Sequence, residues 1–232
     1  MAQTADVAIV CCGFTSQLEG EEGESLLTPL NGDRESIALP ESKASYIKEL
    51  ASHGAKIVLV LTGGSPIALG DVEDMVDAIL FVWYPGMEGG RAVADVLFGD
   101  SSPAGKLPVT FPRSLHQLPP FSNYSMNGRT YRYMTEEPLY PFGFGLHYTH
   151  FEYSELRLEN TMLTLGDSLP VSLTLTNCGD SDSAEIAQFY LSDLSASARV
   201  PRHQLVGFER VMLKAGECKS LNFTISPAMM SF

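Results

Sequence analysis

Three six-residue runs carry almost nothing but apolar side chains: Val7–Cys12 (VAIVCC), Lys56–Leu61 (KIVLVL) and Ala78–Trp83 (AILFVW). A strand with one wet face alternates apolar and polar residues. Runs without alternation instead predict strands of a parallel sheet, covered on both faces. Cys11 and Cys12 are neighbours that cannot easily bridge each other, and they read as small residues within the first buried strand. The intervals between the runs have helical spacing. Glu41–His53 sets Tyr46, Ile47, Leu50 and Ala51 on one face, and Gly54 supplies the stop. Asp71–Val76 predicts a shorter helix. Arg91–Phe98 places Ala92, Val93, Val96 and Leu97 on one stripe before Gly99. Strands alternating with helices imply βαβ units with right-handed crossovers.

After Gly99 the pattern changes. Residues 101–120 are rich in Pro, Gly and Ser, with one short extended piece at Leu107–Phe111. Residues 121–148 are dense in aromatics without a period, and predict a long ordered loop lying on the α/β layer. From Phe151 onward apolar and polar residues alternate: Tyr153–Glu159, Leu169–Thr176, Ile186–Ser192, Leu205–Leu213 and Lys219–Ile225. Short strands at this spacing, parted by turn residues, predict an antiparallel β-sandwich. The expected organisation is therefore an α/β domain over 1–120, a connecting segment over 121–150 and an all-β domain over 151–232. Cys178 and Cys218 are placed either to meet across the β-domain or to remain free thiols, and the free form is favoured.

The composition fits a globular chain of 232 residues, with 44% hydrophobic and 19% charged residues. No apolar run approaches the roughly 20 residues that span a bilayer, and the start lacks the basic and apolar regions of a signal peptide. A soluble chain is expected, and the compartment stays open. The net charge of −13 repels nucleic acid and anionic lipid, so neither is an expected partner. Zinc-type cysteine and histidine spacings are missing, as are a phosphate-binding glycine signature and a G-x-S-x-G nucleophile elbow. No metal and no cofactor are expected. Ser65, in GGSP, has no recognisable triad around it.

The most unusual stretch follows the first apolar run. LEGEEGE crowds Glu19, Glu21, Glu22 and Glu24 around two glycines. It leaves the C-terminal end of a parallel strand, where open α/β sheets place ligands. Two readings stand. One is a solvated acidic loop. The other is a general acid, its pKa raised by like-charged neighbours and by a bound ligand that displaces water.

Four strings carry a resemblance. They are DRESIALP (Asp33–Pro40), WYPGMEGGRAVADVLFGDSSPAGKLPVTFP (Trp83–Pro112), GRTYRYM with PLYPFGFGLHYTHF (Gly128–Phe151), and QLVGFERVMLKAGE (Gln204–Glu217). Together they resemble the C-terminal half of family 3 glycoside hydrolases, the β-glucosidase and β-xylosidase group. The last string is similar to the fibronectin type III-like domain that ends many of them. The resemblance implies a partial parallel-sheet αβα sandwich followed by an immunoglobulin/fibronectin III-like sandwich. It also implies retaining hydrolysis of a β-linked glycoside or oligosaccharide, with an aspartate nucleophile on an N-terminal barrel and a glutamate acid/base on a loop of the α/β domain. Such a pair stands roughly 5–5.5 Å apart across the scissile bond.

By that resemblance the acid/base falls within LEGEE. Glu19 is the first choice, with Glu22 and Glu21 as reserves, because SLLTPLNG lengthens the loop and blurs the register. Asp33 and Arg34 read as structural, fixing the loop by an ion pair or cap. Tyr131 and Arg132, with Tyr133, either edge the substrate site or pack beneath the surface that faces the barrel.

No segment resembles the barrel or its nucleophile strand, and the sheet and the sandwich both look clipped. The expectation is a fragment that needs the barrel as its partner and is inactive alone. It would self-associate through an exposed sheet edge. The alternative expectation is a non-catalytic carbohydrate- or partner-binding module.

Overall fold

The computed structural model describes residues 5–20 and 34–231. The chain divides into two compact units. One comprises Met1–Ala94, Val109–Gly128 and Thr135–Pro141; the other comprises Asp95–Pro108, Arg129–Met134 and Phe142–Phe232.

In the first unit, β1 (Ala8–Gly13) leads through a short helix α1 (Ser16–Glu19) towards α2 (Glu41–Ser52), followed by β2 (Ile57–Thr62) and β3 (Ala78–Trp83). The three strands form a parallel sheet in the order β1-β2-β3. All three apolar runs thus become parallel strands, as the missing alternation requires. The central strand is covered on both faces: Ile57, Leu59, Val60 and Leu61 are all buried. The outer strand β1 corrects the expectation. Val10 is buried, while Val7, Ile9 and Cys11 are exposed. Described residues pack on only one of its faces, so alternate side chains reach solvent whatever their polarity.

Helix α2 starts and stops within a residue of the expected limits, but its phase differs. Ile47 is completely buried and Tyr46 is exposed, so the inward stripe is set by Ile47 rather than shared with Tyr46. The expected helix at Asp71–Val76 is a 3-10 turn, Gly70–Met75, which still buries Val72 completely. After β3 comes α3 (Gly89–Leu97). No helix among the described residues is long and apolar enough to cross a membrane.

The aromatic-rich stretch is not one loop on the α/β layer. It contains a short helix, α4 (Thr130–Tyr133), and it is shared between the two units. The Leu107–Phe111 piece forms no strand. Phe111 makes an isolated bridge to Tyr140 within the first unit, and Leu107 exchanges backbone hydrogen bonds with Phe144 and Gly143 within the second.

The second unit holds β4 (Phe151–Leu158), β5 (Leu169–Asn177), β6 (Ser183–Leu191), β7 (Gln204–Leu213) and β8 (Cys218–Ile225). These form antiparallel sheets β4-β5-β8 and β6-β7. Leu175 and Leu221 from one sheet meet Ala187, Val211 and Leu213 from the other in a closed core. Phe189 stacks on Phe223 with ring centroids 4.5 Å apart. Gly207 leaves room for that ring, because a Cβ there would lie 2.2 Å from it. All four cysteines are free. One buried ionic group stands in this unit. Glu185 lies 3.1 Å from Lys106 Nζ and 3.4 Å from His147 Nε2, and Lys106 also donates to the Gly145 carbonyl at 3.0 Å.

Candidate functional site

The C-terminal ends of the three parallel strands converge on one carboxylate, and local sequence explains how each strand reaches it. Strand β1 ends at Gly13, whose φ is +127°. A Cβ at that position would fall 2.1 Å from the Thr62 carbonyl, so only glycine lets the chain turn this tightly against β2. Thr62 Oγ1 then donates to the Phe14 carbonyl at 3.0 Å. Thr15 caps α1 by accepting from the Leu18 N–H, and Gly20 at φ +63° ends the helix. Glu19 is the last residue of that single turn.

Its side chain is engaged on both oxygens. Oε1 accepts from Ser65 Oγ at 2.9 Å and pairs with Arg34 Nη2 at 3.3 Å. Oε2 accepts from the Gly64 N–H at 3.0 Å and from the Tyr84 hydroxyl. Arg34 Nη2 also donates to Ser65 Oγ, so Ser65 relays between the two charges. The Arg34 guanidinium lies 3.9 Å above the ring of Phe14, a residue only 2% exposed. A Cβ at Gly64 would stand 2.9 Å from Glu19 Oε2 and 3.0 Å from the Tyr84 ring, so a side chain there would push these two groups from their present places.

Tyr84 is delivered by a strained residue. Trp83 ends β3 with φ +54°, beside the register shift at Leu61/Thr62. A left-handed Trp costs on the order of 1–3 kcal/mol and persists only where its surroundings hold it. Edge-to-face contacts with Phe81 at 4.6 Å and Phe111 at 6.2 Å supply that hold.

Burial pushes the Glu19 carboxyl up. The hydrogen bonds from Tyr84, Ser65 and Gly64, together with the Arg34 charge, outweigh it and leave the pKa below the ordinary glutamate value. Tyr84 is pushed up to about 12, by burial first and by the adjoining carboxylate second, so it remains a donor. The sign for stability follows. A carboxyl depressed in the folded state contributes stability above the unfolded value of about 4.3, and that contribution fades as pH falls through the folded value. Accordingly, the Glu19 carboxyl carbon should titrate by NMR below the usual midpoint, and Tyr84→Phe should move that midpoint upward. A midpoint indifferent to Tyr84→Phe would refute the assignment of causes.

Glu19 and Arg34 are therefore brought together, whereas Glu21, Glu22 and Asp33 lie outside the described residues. Tyr131 and Arg132 sit in the second unit. The Tyr131 ring stacks on Phe142 at 4.1 Å and its hydroxyl accepts from the Leu205 N–H at 3.1 Å. Arg132 is exposed, with its guanidinium 5.9 Å from the Tyr131 ring. Gly64, Ser65 and Tyr84 were missed as partners of the acidic loop. The available signal was positional: each follows directly on a parallel strand's C-terminal end, where such sheets build their sites.

Comparisons with known proteins agree with this architecture. Residues 1–148 match the family model of the glycosyl hydrolase family 3 C-terminal domain. Residues 185–232 match a fibronectin type III-like domain. The chain is 42% identical to a xylan 1,4-β-xylosidase of Xylanibacter ruminicola, over 97% of its own length and 26% of that protein. It is 40% identical to a periplasmic β-glucosidase of Salmonella typhimurium, over 100% of its own length and 31% of that protein. Among solved structures it superposes on a mutant β-glucosidase of Listeria innocua in complex with laminaribiose, with a TM-score of 0.82 and 34% identity, covering 99% of this chain and 32% of that one. A β-D-glucoside glucohydrolase of Trichoderma reesei gives a TM-score of 0.84 at 26% identity, covering 100% of this chain and 36% of that one. The chain thus spans about a quarter to a third of the length of the relatives it matches.

Proposed function

Because the chain belongs to glycosyl hydrolase family 3, we propose that it supplies the acid/base half of a retaining β-glycosidase acting on β-linked glucosides or xylosides. The aspartate nucleophile would lie on a barrel outside this chain. One observation carries the reading: the acidic loop leaves the C-terminal end of β1 and is tied there, through Glu19 and Arg34, to the turns that follow β2 and β3.

A general acid must hold a proton when the glycosidic bond breaks, and must have a free oxygen to present to the leaving group. In the unliganded chain Glu19 is held as a carboxylate. Four donors occupy its two oxygens, and its pKa is lowered. A bound sugar that displaces water and one of these donors would raise that pKa and free an oxygen, so Glu19 is the first choice for the role, with Glu22 and Glu21 as reserves. Glu19 would protonate the departing oxygen as the nucleophile attacks the anomeric carbon. The resulting carboxylate would then take a proton from the water that hydrolyses the glycosyl-enzyme.

The test uses two proteins. The chain alone should show no turnover of aryl β-glucosides or β-xylosides, since one carboxylate cannot complete the double displacement. A chimera in which this chain replaces the matching segment of the Salmonella β-glucosidase should be active. Turnover by the repurified chain alone, or a folded chimera without activity, would overturn the proposal.

A further inference from the structure

Residues 114–128 contain no Asp, Glu, Lys or Arg, in a chain whose net charge is −13. Within that window, 119–128 form a closed surface loop of the first unit. Its ends meet: a Cβ at Gly128, where φ is +74°, would stand 3.6 Å from Pro119 Cγ. Gln117 pins the stem, accepting from the Arg113 N–H at 2.7 Å and donating to the Glu137 carbonyl at 3.0 Å. Successive turns brace the loop itself. The Asn123 N–H donates to the Pro120 carbonyl at 2.9 Å, the Ser125 N–H to Asn123 Oδ1 at 3.0 Å, and the Asn127 N–H to Ser125 Oγ at 3.1 Å. The largest side chains stand in water: Phe121 is 94% exposed, Tyr124 89% and Met126 48%. Aromatic rings left this open add little to the fold, because it is burial that makes an aromatic side chain stabilising.

We infer that this loop is a sugar-binding platform, built without any residue of the Glu19 network, on which Phe121 and Tyr124 stack against the apolar faces of a β-linked oligosaccharide. The chemistry of the loop selects the ligand. An ionic partner needs counter-charges, and the window carries none. A pyranose needs something else. Its axial C–H groups carry partial positive charge and pack on the negative face of an aromatic ring. Its hydroxyls need uncharged donors and acceptors, and Ser122, Asn123, Ser125 and Asn127 interleave hydroxyl and amide groups with the rings. Rigid aromatics set among Ser and Asn are a composition that recognition loops reuse for polar, uncharged surfaces. The choice of a β-linked sugar rests on the proposed function, whereas the platform itself needs no assignment of the acid/base. A contact of this kind favours long chains, since a second point of attachment adds affinity through effective concentration.

The test uses the whole chain and laminarihexaose, a neutral β-linked probe, followed by amide resonances in solution. The sugar should shift the resonances of 121–127 with a Kd of about 1 mM, as fits a shallow platform with few contacts. Tyr124→Ala and Phe121→Ala should each weaken binding on the order of tenfold, the loss expected when an aromatic anchor is truncated. Tyr124→Phe should stay within about threefold of the wild type, because the ring and not the hydroxyl supplies the stack. All three variants should keep the wild-type Tm, since these side chains bury almost nothing. Loop resonances that do not move, or equal binding by the two alanine variants and the wild type, would overturn the platform. So would a Tm lowered by Tyr124→Ala in the chimera without any sugar-induced shift, which would mark the loop as a contact for the host protein instead. If the sugar binds as expected and the chimera is inactive, the platform stands and the proposed function falls. An active chimera with no sugar bound at the loop removes the platform alone.

Discussion

Glu19→Gln in the active chimera is expected to slow hydrolysis of an alkyl glycoside by roughly 10²–10⁴-fold, the usual contribution of a positioned general acid. A nitrophenyl leaving group departs as a stable anion and needs little protonation, so the loss on its cleavage step should be less than about tenfold. The basic limb of the kcat/KM profile reports loss of the acid's proton in the free enzyme, and should flatten in the variant. An anionic nucleophile such as azide needs no deprotonation and should restore the second step, where the wild-type residue acts as base. Glu22→Gln supplies the contrast. It leaves Glu19 in place, so any loss should not scale with leaving-group basicity. Equal losses for both substrates in Glu19→Gln would remove that residue from the role.

Removing the carboxylate at Glu185 should be the most damaging single change in the second unit. Glu185 is 6% exposed at its side chain, and it neutralises Lys106, itself only 13% exposed. Glu185→Ala leaves that ammonium buried beside His147 with no counter-charge, a loss of about 3–5 kcal/mol. Because Glu185 belongs to β6 and faces the GFGLHYT stretch, protection from hydrogen exchange should fall at Ala187 and Val211, in β6 and β7. A double change to Leu at 185 and Met at 106 removes both charges and should recover most of the loss. Exchange rates in Glu185→Ala close to those of the wild type would mean that water already solvates the ammonium. His147 adds a pH dependence. Burial first, and then the Lys106 charge, hold its pKa below the ordinary histidine value, with Glu185 opposing them. A cation-forming group depressed in the folded state takes up its proton more readily once unfolded. Stability of this unit should therefore decline as pH falls below about 6.5.

The strands were legible because continuous apolar runs and strict alternation each have one structural meaning. Ala78–Trp83 forms β3 over the expected residues, and the five alternating stretches from Phe151 onward each became a strand. Phase and exposure were less legible. Tyr46 points outward from α2 and Ile9 outward from β1, because those outcomes depend on what lies opposite rather than on the residue. The aromatic-rich segment had no period from which to assign it. Its place was decided by individual contacts, such as Tyr131 stacking on Phe142.

Membership in family 3, the α/β-then-β order and the presence of an acidic loop after β1 were all determined by the sequence, through local pattern and motif. Which side chains meet Glu19 was decided only by tertiary structure. Gly64, Ser65 and Tyr84 lie 45, 46 and 65 positions away along the chain. Parallel pairing sets the C-terminal ends of β1, β2 and β3 side by side, and the tight turn at Gly13 and the left-handed Trp83 bring those residues within hydrogen-bonding reach. Four glutamates crowded into seven residues look chemically equivalent in a sequence. What distinguishes Glu19 is its surroundings, because a carboxylate's pKa and orientation depend on its neighbours in space.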